Sequence, residues 1–423
     1  MKSLLKSDFI VNVLKLMLGS ALGQAIALAL SFIVTRIYAP DEFASLEQFA
    51  MILGILGAVA GGKYELAIML PDSKEKALRI LRSTVRIAFL VSTVAGVLFF
   101  LFGDVIAGFL KNPDIKNMLW LLGPALFFFM LTQALNYWHS RNNNFGVTAS
   151  SKTLFSTVSE PSKIGLGKIG LVPDGLIYGV LMGHLASAGL MVAKLKDVGL
   201  KNLYATVDYD DKDHLLEYKN YPLYVMPGSL LNRLAQWVHI ALFGFLFGDA
   251  GLMAVGFLGL SRRIIMQPLN ILSTSFAQVY YQRLTEKSGS ALKSFYFKML
   301  AIFTGISVFI IAIVWVLPDE SISFLFGEEW IGIMAYLRIL VFWFTANFTV
   351  GSLAFILHRL QKQKMMFWLD LIHFILVAFS MLFAFIIEYE ILEVLMVFVA
   401  AKVLYLLLNI IMTIKALNEP IQA

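Results

Sequence analysis

Cationic side chains lie inside long apolar stretches of this sequence, among them Lys163, Lys168, Arg233, Arg262, Arg263, Arg338 and Lys402. A charge held in hydrocarbon costs at least a few kcal/mol, so such residues face protein or water and mark a pathway or a ligand. Some continue into polar stripes at helical spacing. Arg233 shares a face with Asn232, Gln236 and His239, and Arg263 is followed by Gln267, Asn270, Thr274 and Gln278. A milder stripe, Ser20, Gln24, Ser31 and Thr35, runs near the N-terminus. A guanidinium offers a planar fork that matches phosphate oxygens. Arg233, Arg262 and Arg263, with Gln236, Gln267, Arg338, Lys163, Lys402 and Gln24, are therefore the candidate lining of a cationic cavity for an anion such as a phosphate or diphosphate. The competing reading of each is an interhelical hydrogen bond or a side chain snorkelling to the nearest interface.

Carboxylates in such stretches are few. Glu160 lies well inside one, and Asp370 stands near the start of another, with His373 one turn later. Either acid is a candidate for binding H+ or Na+ in coupled transport, although Glu160 also has Lys163 at i+3 as a local partner. Gly165-x-Gly167-x-x-Gly170 matches a dinucleotide fingerprint in letters only. No strand precedes it and no βαβ unit surrounds it, so it reads as close helix packing or a bend. The acidic run Asp208 to Asp213 could be a metal–nucleotide site, but acids among lysines in a long polar connection read better as a solvated linker. There is no cysteine, no Walker A sequence, no HExxH and no i, i+4 histidine pair. No resident metal or organic cofactor, no enzymatic activity and no nucleic-acid partner are expected.

The elements that must position these residues follow from composition. Of 423 residues, 59% are hydrophobic and 15% charged, against roughly 25% charged in soluble domains, and the mean hydropathy is +0.78. This excludes a soluble globule. Apolar stretches long enough to cross a bilayer fall near 14–38, 43–61, 85–103, 118–137, 147–170, 175–193, 223–247, 252–279, 299–317, 332–356, 367–387 and 391–414. The expected fold is thus an all-α polytopic membrane protein of about twelve transmembrane helices. The stretch at 147–170 is the most polar, and Glu160–Pro161 predicts a break in its helix. Lys and Arg gather in alternate connections, with Arg36, Lys111 and Lys116 alone on the opposite side, which places both termini in the cytoplasm. Two short matches six stretches apart, Met17–Leu22 with Met226–Leu231 and Leu101–Asp104 with Leu325–Glu328, indicate a duplication. The expected division is a six-helix lobe at 1–193, a cytoplasmic loop at 194–220 and a second six-helix lobe at 221–423, arranged around a central cavity.

Five segments carry a family resemblance. They are Thr35-Arg36-Ile37-Tyr38-Ala39-Pro40-Asp41-Glu42-Phe43, Lys63-Tyr64-Glu65-Leu66-Ala67-Ile68-Met69-Leu70-Pro71 and Tyr221 to Pro227. The other two are Arg262 to Pro268 with Phe276 to Tyr281, and Leu325 to Trp330. In order and placement they resemble the Wzx-type polysaccharide biosynthesis flippases of the multidrug/oligosaccharidyl-lipid/polysaccharide (MOP) exporter superfamily. Lys63 and Ala44 depart from the usual Arg and Gly. The resemblance implies translocation of an undecaprenyl-diphosphate-linked oligosaccharide across the inner membrane by alternating access, for O-antigen, lipopolysaccharide or capsule. It also implies membrane lipids, a polymerase and glycosyltransferases as pathway partners. The alternatives are a cation-coupled multidrug or metabolite exporter of the same superfamily and, from another class, a membrane glycosyltransferase or polymerase using Asp208 to Asp213.

Overall fold

The computed structural model describes residue 19 and residues 21–195, 215–285, 287–360, 362–387 and 389–419. The Asp208 to Asp213 run lies outside the described residues. The described chain is helical, with no strand. In chain order the long helices are α1 (Ala21–Val34), α2 (Pro40–Gly57), α3 (Lys74–Leu101), α4 (Leu122–Arg141), α5 (Phe145–Lys168) and α6 (Asp174–Ala193). They continue with α7 (Met226–Ser261), α8 (Gln267–Thr285), α9 (Gly289–Val316), α10 (Ile333–Leu353), α11 (Gln363–Ile386) and α12 (Ile391–Asn418). Among the described residues, eight helical stretches are long and apolar enough to cross a membrane. One of them, Tyr221–Thr274, holds two of the expected crossings, divided where Gly248 takes φ 56° inside α7. Helix α1 is shorter in its described part, α2 carries three acids, and α5 is polar. This is a multi-pass membrane protein.

The helix in α5 runs unbroken through Pro161, against the break expected there. Proline removes the N–H owed to the Thr157 carbonyl. Flanking hydroxyls bond back along the same helix, Thr157 Oγ1 to the Thr153 carbonyl at 2.9 Å and Ser162 Oγ to that of Val158 at 2.7 Å. Packing around α5 relies on small residues, as membrane helices do when backbones must approach closely. A Cβ on Gly19 would meet Ala149 Cβ at 2.6 Å, one on Gly23 the Lys152 carbonyl at 3.1 Å, and one on Gly183 Ser159 Cβ at 2.9 Å. Gly167 is closed in by Ile37 and Tyr38, while Gly170, at φ 87°, turns the chain out of α5. Within the Gly165–Gly170 pattern Gly167 serves packing and Gly170 a turn, while a Cβ on Gly165 would meet open space.

The chain divides into two compact units, 1–252 and 253–423. The sequence partition at 194–220 follows the repeat, whereas this one follows packing. The arm of α7 before Gly248 lies on elements of the first unit, with Trp237 against Gly54 of α2 and Phe245 stacked on Phe109 at 5.2 Å. Within the first unit α3 packs on α4, α5 on α6, α4 on α6 and α2 on α4. Within the second, α9 packs on α10, α11 on α12, α10 on α12 and α8 on α10. The order of pairing repeats six helices on.

Three of the five segments that carried the family resemblance hold turns, and the other two are helical. Pro40 opens α2 and the Glu42 side chain accepts from the Ala39 N–H at 2.7 Å. Gly327 sits at φ 105° before the fully buried Trp330. The Lys63–Pro71 turn is held by Arg141 at the end of α4, which donates to the carbonyls of Ile68, Met69 and Pro71. Glu65 in this turn is buried 3.6 Å from Lys63 Nζ, and burial pushes its carboxyl above the usual range.

Candidate functional site

Two buried lysines organise the polar interior, one in each unit. In the first unit, α5 presents Glu160 and Lys163 on one face, three residues apart. Lys163 Nζ donates to Glu160 Oε1 at 2.8 Å, with both side chains 3% exposed or less. The Lys163 carbonyl accepts from Tyr38 Oη at 2.8 Å. His184 of α6 stands within reach of the Lys163 charge, its ring edge-on to Phe129 and tilted against Phe155. The local i, i+3 partnership open to Glu160 is thus formed.

In the second unit, Lys402 of α12 is 2% exposed. Its Nζ lies 3.0 Å from His373 Nε2 on α11, and over the rings of Trp343 on α10 and Phe398 on α12 at 5.0 and 5.3 Å. The His373 ring stacks on Tyr405 with centroids 4.1 Å apart, and Tyr405 Oη donates to Asp370 Oδ1 at 3.5 Å. The Arg262 guanidinium is close enough for its charge to act on Lys402. Arg262, Lys402, His373 and Asp370 therefore come together, from three segments, of which only the Asp370–His373 spacing was readable in sequence.

Arg262 and Arg263 open a π-helical turn, Arg262–Met266, between α7 and α8. The Gln267 N–H donates to the Arg262 carbonyl, a bond five residues long. The wider turn adds one residue to the α-helical spacing between Arg262 and its hydrogen-bonded partner Gln267.

The remaining candidates lie elsewhere. Arg233 is at the exposed surface of α7, its Nη1 3.5 Å from Gln236 Oε1, and Gln236 donates onward to Asn232 at 2.7 Å. Arg338 binds Asp319 Oδ1 at 2.6 Å and the Leu317 carbonyl at 3.2 Å, tying the start of α10 to the end of α9. Gln24 is half-buried on α1, beside the Gly23 that packs on α5. No group of three or more His, Asp or Glu side chains able to hold a metal occurs among the described residues. Sequence reasoning named His373 only as a neighbour of Asp370. Its pairing with Lys402 spans 29 residues and two helices, and no periodicity reports it.

The fold resembles those of solved transporters of the MOP superfamily. A multidrug resistance transporter of the MATE family, inward-facing, superposes with a TM-score of 0.67 at 14% identity, over 93% of this chain and 95% of its own. The lipid II flippase MurJ, in an inward closed conformation, gives 0.69 at 14% identity over 96% and 89%. A MOP superfamily transporter from Pyrococcus furiosus, described as having a binding pocket of reversed polarity, gives 0.57 at 14% over 97% and 96%. No curated protein matches the chain in sequence. The family model for polysaccharide biosynthesis proteins matches residues 33–335, and the chain belongs to that family.

Proposed function

We propose that the protein is a flippase that moves an undecaprenyl-diphosphate-linked oligosaccharide from the cytoplasmic to the outer leaflet of the inner membrane, with both termini cytoplasmic. It works by alternating access, for a surface polysaccharide such as O-antigen or capsule, with the polymerase and glycosyltransferases of that pathway as its partners. The observation that carries this reading is the cation set of the second unit. Arg262 lies within electrostatic reach of Lys402, which is buried among aromatic rings. Like charges brought together away from water disfavour one another, and an anion between them removes the penalty. A diphosphate is such an anion, and its lipid tail stays in the bilayer. Arg262, Arg263, Gln267 and Lys402 are its proposed ligands. Lys163 and Glu160 serve as an internal pair, and Arg338 serves the α9–α10 connection. An inside-negative potential drives anion export by about 2.3 kcal/mol per charge per 100 mV.

The test is complementation. In a flippase-null cell, the Arg262→Ala/Arg263→Ala double variant, present in the membrane at the wild-type level, is expected to abolish surface glycan. Normal glycan would overturn the cationic-headgroup reading. Product formation by purified protein given sugar nucleotide and lipid acceptor would overturn the transporter reading.

A further inference from the structure

At 3.0 Å, Lys402 Nζ and His373 Nε2 share one hydrogen bond. An ammonium has donors and no acceptor, so Nε2 must offer a lone pair and the neutral ring carries its proton on Nδ1. Among the described residues, charged and titratable groups acting on this pair include Arg262 from the turn before α8, Asp370 from α11 and Tyr405 from α12; α10 contributes the uncharged ring of Trp343. We propose that Lys402 and His373 form a proton-linked anion site: the pair holds one positive charge when empty and takes up a second proton when a diphosphate-class anion binds.

This proton linkage rests on the headgroup reading above and on charge geometry. Protonating His373 at Nε2 removes the lone pair and sets two cations one hydrogen-bond length apart, with Arg262 nearby. That state is unfavourable among aromatic rings unless an anion enters. Lys402 then turns from the imidazole to the anion, and His373 and Arg262 become further donors. Linkage is reciprocal, so the proton that strengthens anion binding is itself held more tightly by the anion. The ring stack on Tyr405 keeps the imidazole plane fixed while its charge changes. Lys402 lies over Trp343, so that indole reports the event.

The experiment uses the full chain in detergent micelles. Tryptophan fluorescence is titrated with pH, and the Trp343 contribution is taken as the difference from Trp343→Phe. One pH step is expected in the wild type, absent from His373→Gln and from Lys402→Met. His373→Asn serves as a second variant if the first melts early. A step that persists in the His373 variants overturns the proposal. Farnesyl diphosphate is then titrated calorimetrically on either side of the step. At least tenfold tighter binding on the acid side, lost in His373→Gln, supports the linkage. Equal affinity on both sides overturns it. A step of the expected kind with no farnesyl diphosphate binding at either pH overturns the anion half, and with it the headgroup reading, while locating the proton on this pair.

Discussion

Lys163 and Lys402 occupy matching helix pairs, α5–α6 and α11–α12, six helices apart, and both are almost wholly buried. The first is bonded to a carboxylate three residues away on its own helix, so α5 carries its own neutralisation. The second is bonded to an imidazole on a neighbouring helix, rests on two aromatic faces and has another cation within electrostatic reach. Each lysine also has a histidine of the paired helix near it, His184 and His373, which makes the contrast sharper. One arrangement is neutralised within its own helix, and the other is held by an imidazole of the neighbouring helix and by aromatic faces. The two lysines do not occupy equivalent positions, Lys163 standing on the first helix of its pair and Lys402 on the second, and on the proposed reading the choice of partner separates a structural pair from a binding one.

The largest effect that could break this contrast is on stability. Lys163→Met should cost about 3–5 kcal/mol, because it leaves Glu160 buried without its ion pair. Adding Glu160→Leu should restore most of the loss in thermal melts of the purified protein, with surface glycan retained. Lys402→Met should cost less, about 1–2 kcal/mol for one hydrogen bond and the ring contacts, yet abolish glycan export. Equal destabilisation by the two methionine variants would remove the distinction.

Smaller effects sharpen it. Arg338→Ala breaks a half-exposed pair with Asp319 and should cost about 0.2–1 kcal/mol with export intact, a loss of export instead returning Arg338 to the binding set. Glu65 gives the smallest effect and a sign that depends on pH. Its carboxyl is raised in the folded protein by burial, so folding favours the protonated form. Stability therefore falls as pH rises from the unfolded value of about 4.3 through the folded one, and the penalty is complete above it. Glu65→Gln should raise the melting temperature at pH 7 and leave it unchanged below about pH 4, provided the loss of the Lys63 contact is minor.

Much of this was legible in the sequence. Uninterrupted apolar runs located the helices, and the partnership open to Glu160 and Lys163 followed from their spacing of three. Three of the segments that carried the family resemblance turned out to hold caps and turns: Pro40 and Glu42 start a helix, and Gly327 holds a positive φ. They identify a fold because backbone geometry demands those residue types, and they say little of the ligand. The spacing of Gly19 and Gly23 was a readable packing signal that hydropathy alone passes over. Two features were not legible. The Lys402–His373 contact depends on how α11 and α12 pack, and the π turn at Arg262 shifts the register of everything after it without any change in composition.

That turn has a consequence for chain length. An α-helix places successive residues about 100° apart around its axis, so deleting one residue from 262–266 and letting the turn close to α geometry would rotate the preceding arm by that amount relative to α8. Arg262 would then stand four residues before Gln267 instead of five, so its carbonyl would remain the acceptor of the Gln267 N–H if the deletion spares both arginines. A single-residue shortening that removes no charge would thus turn the preceding arm while leaving Arg262 in register with α8.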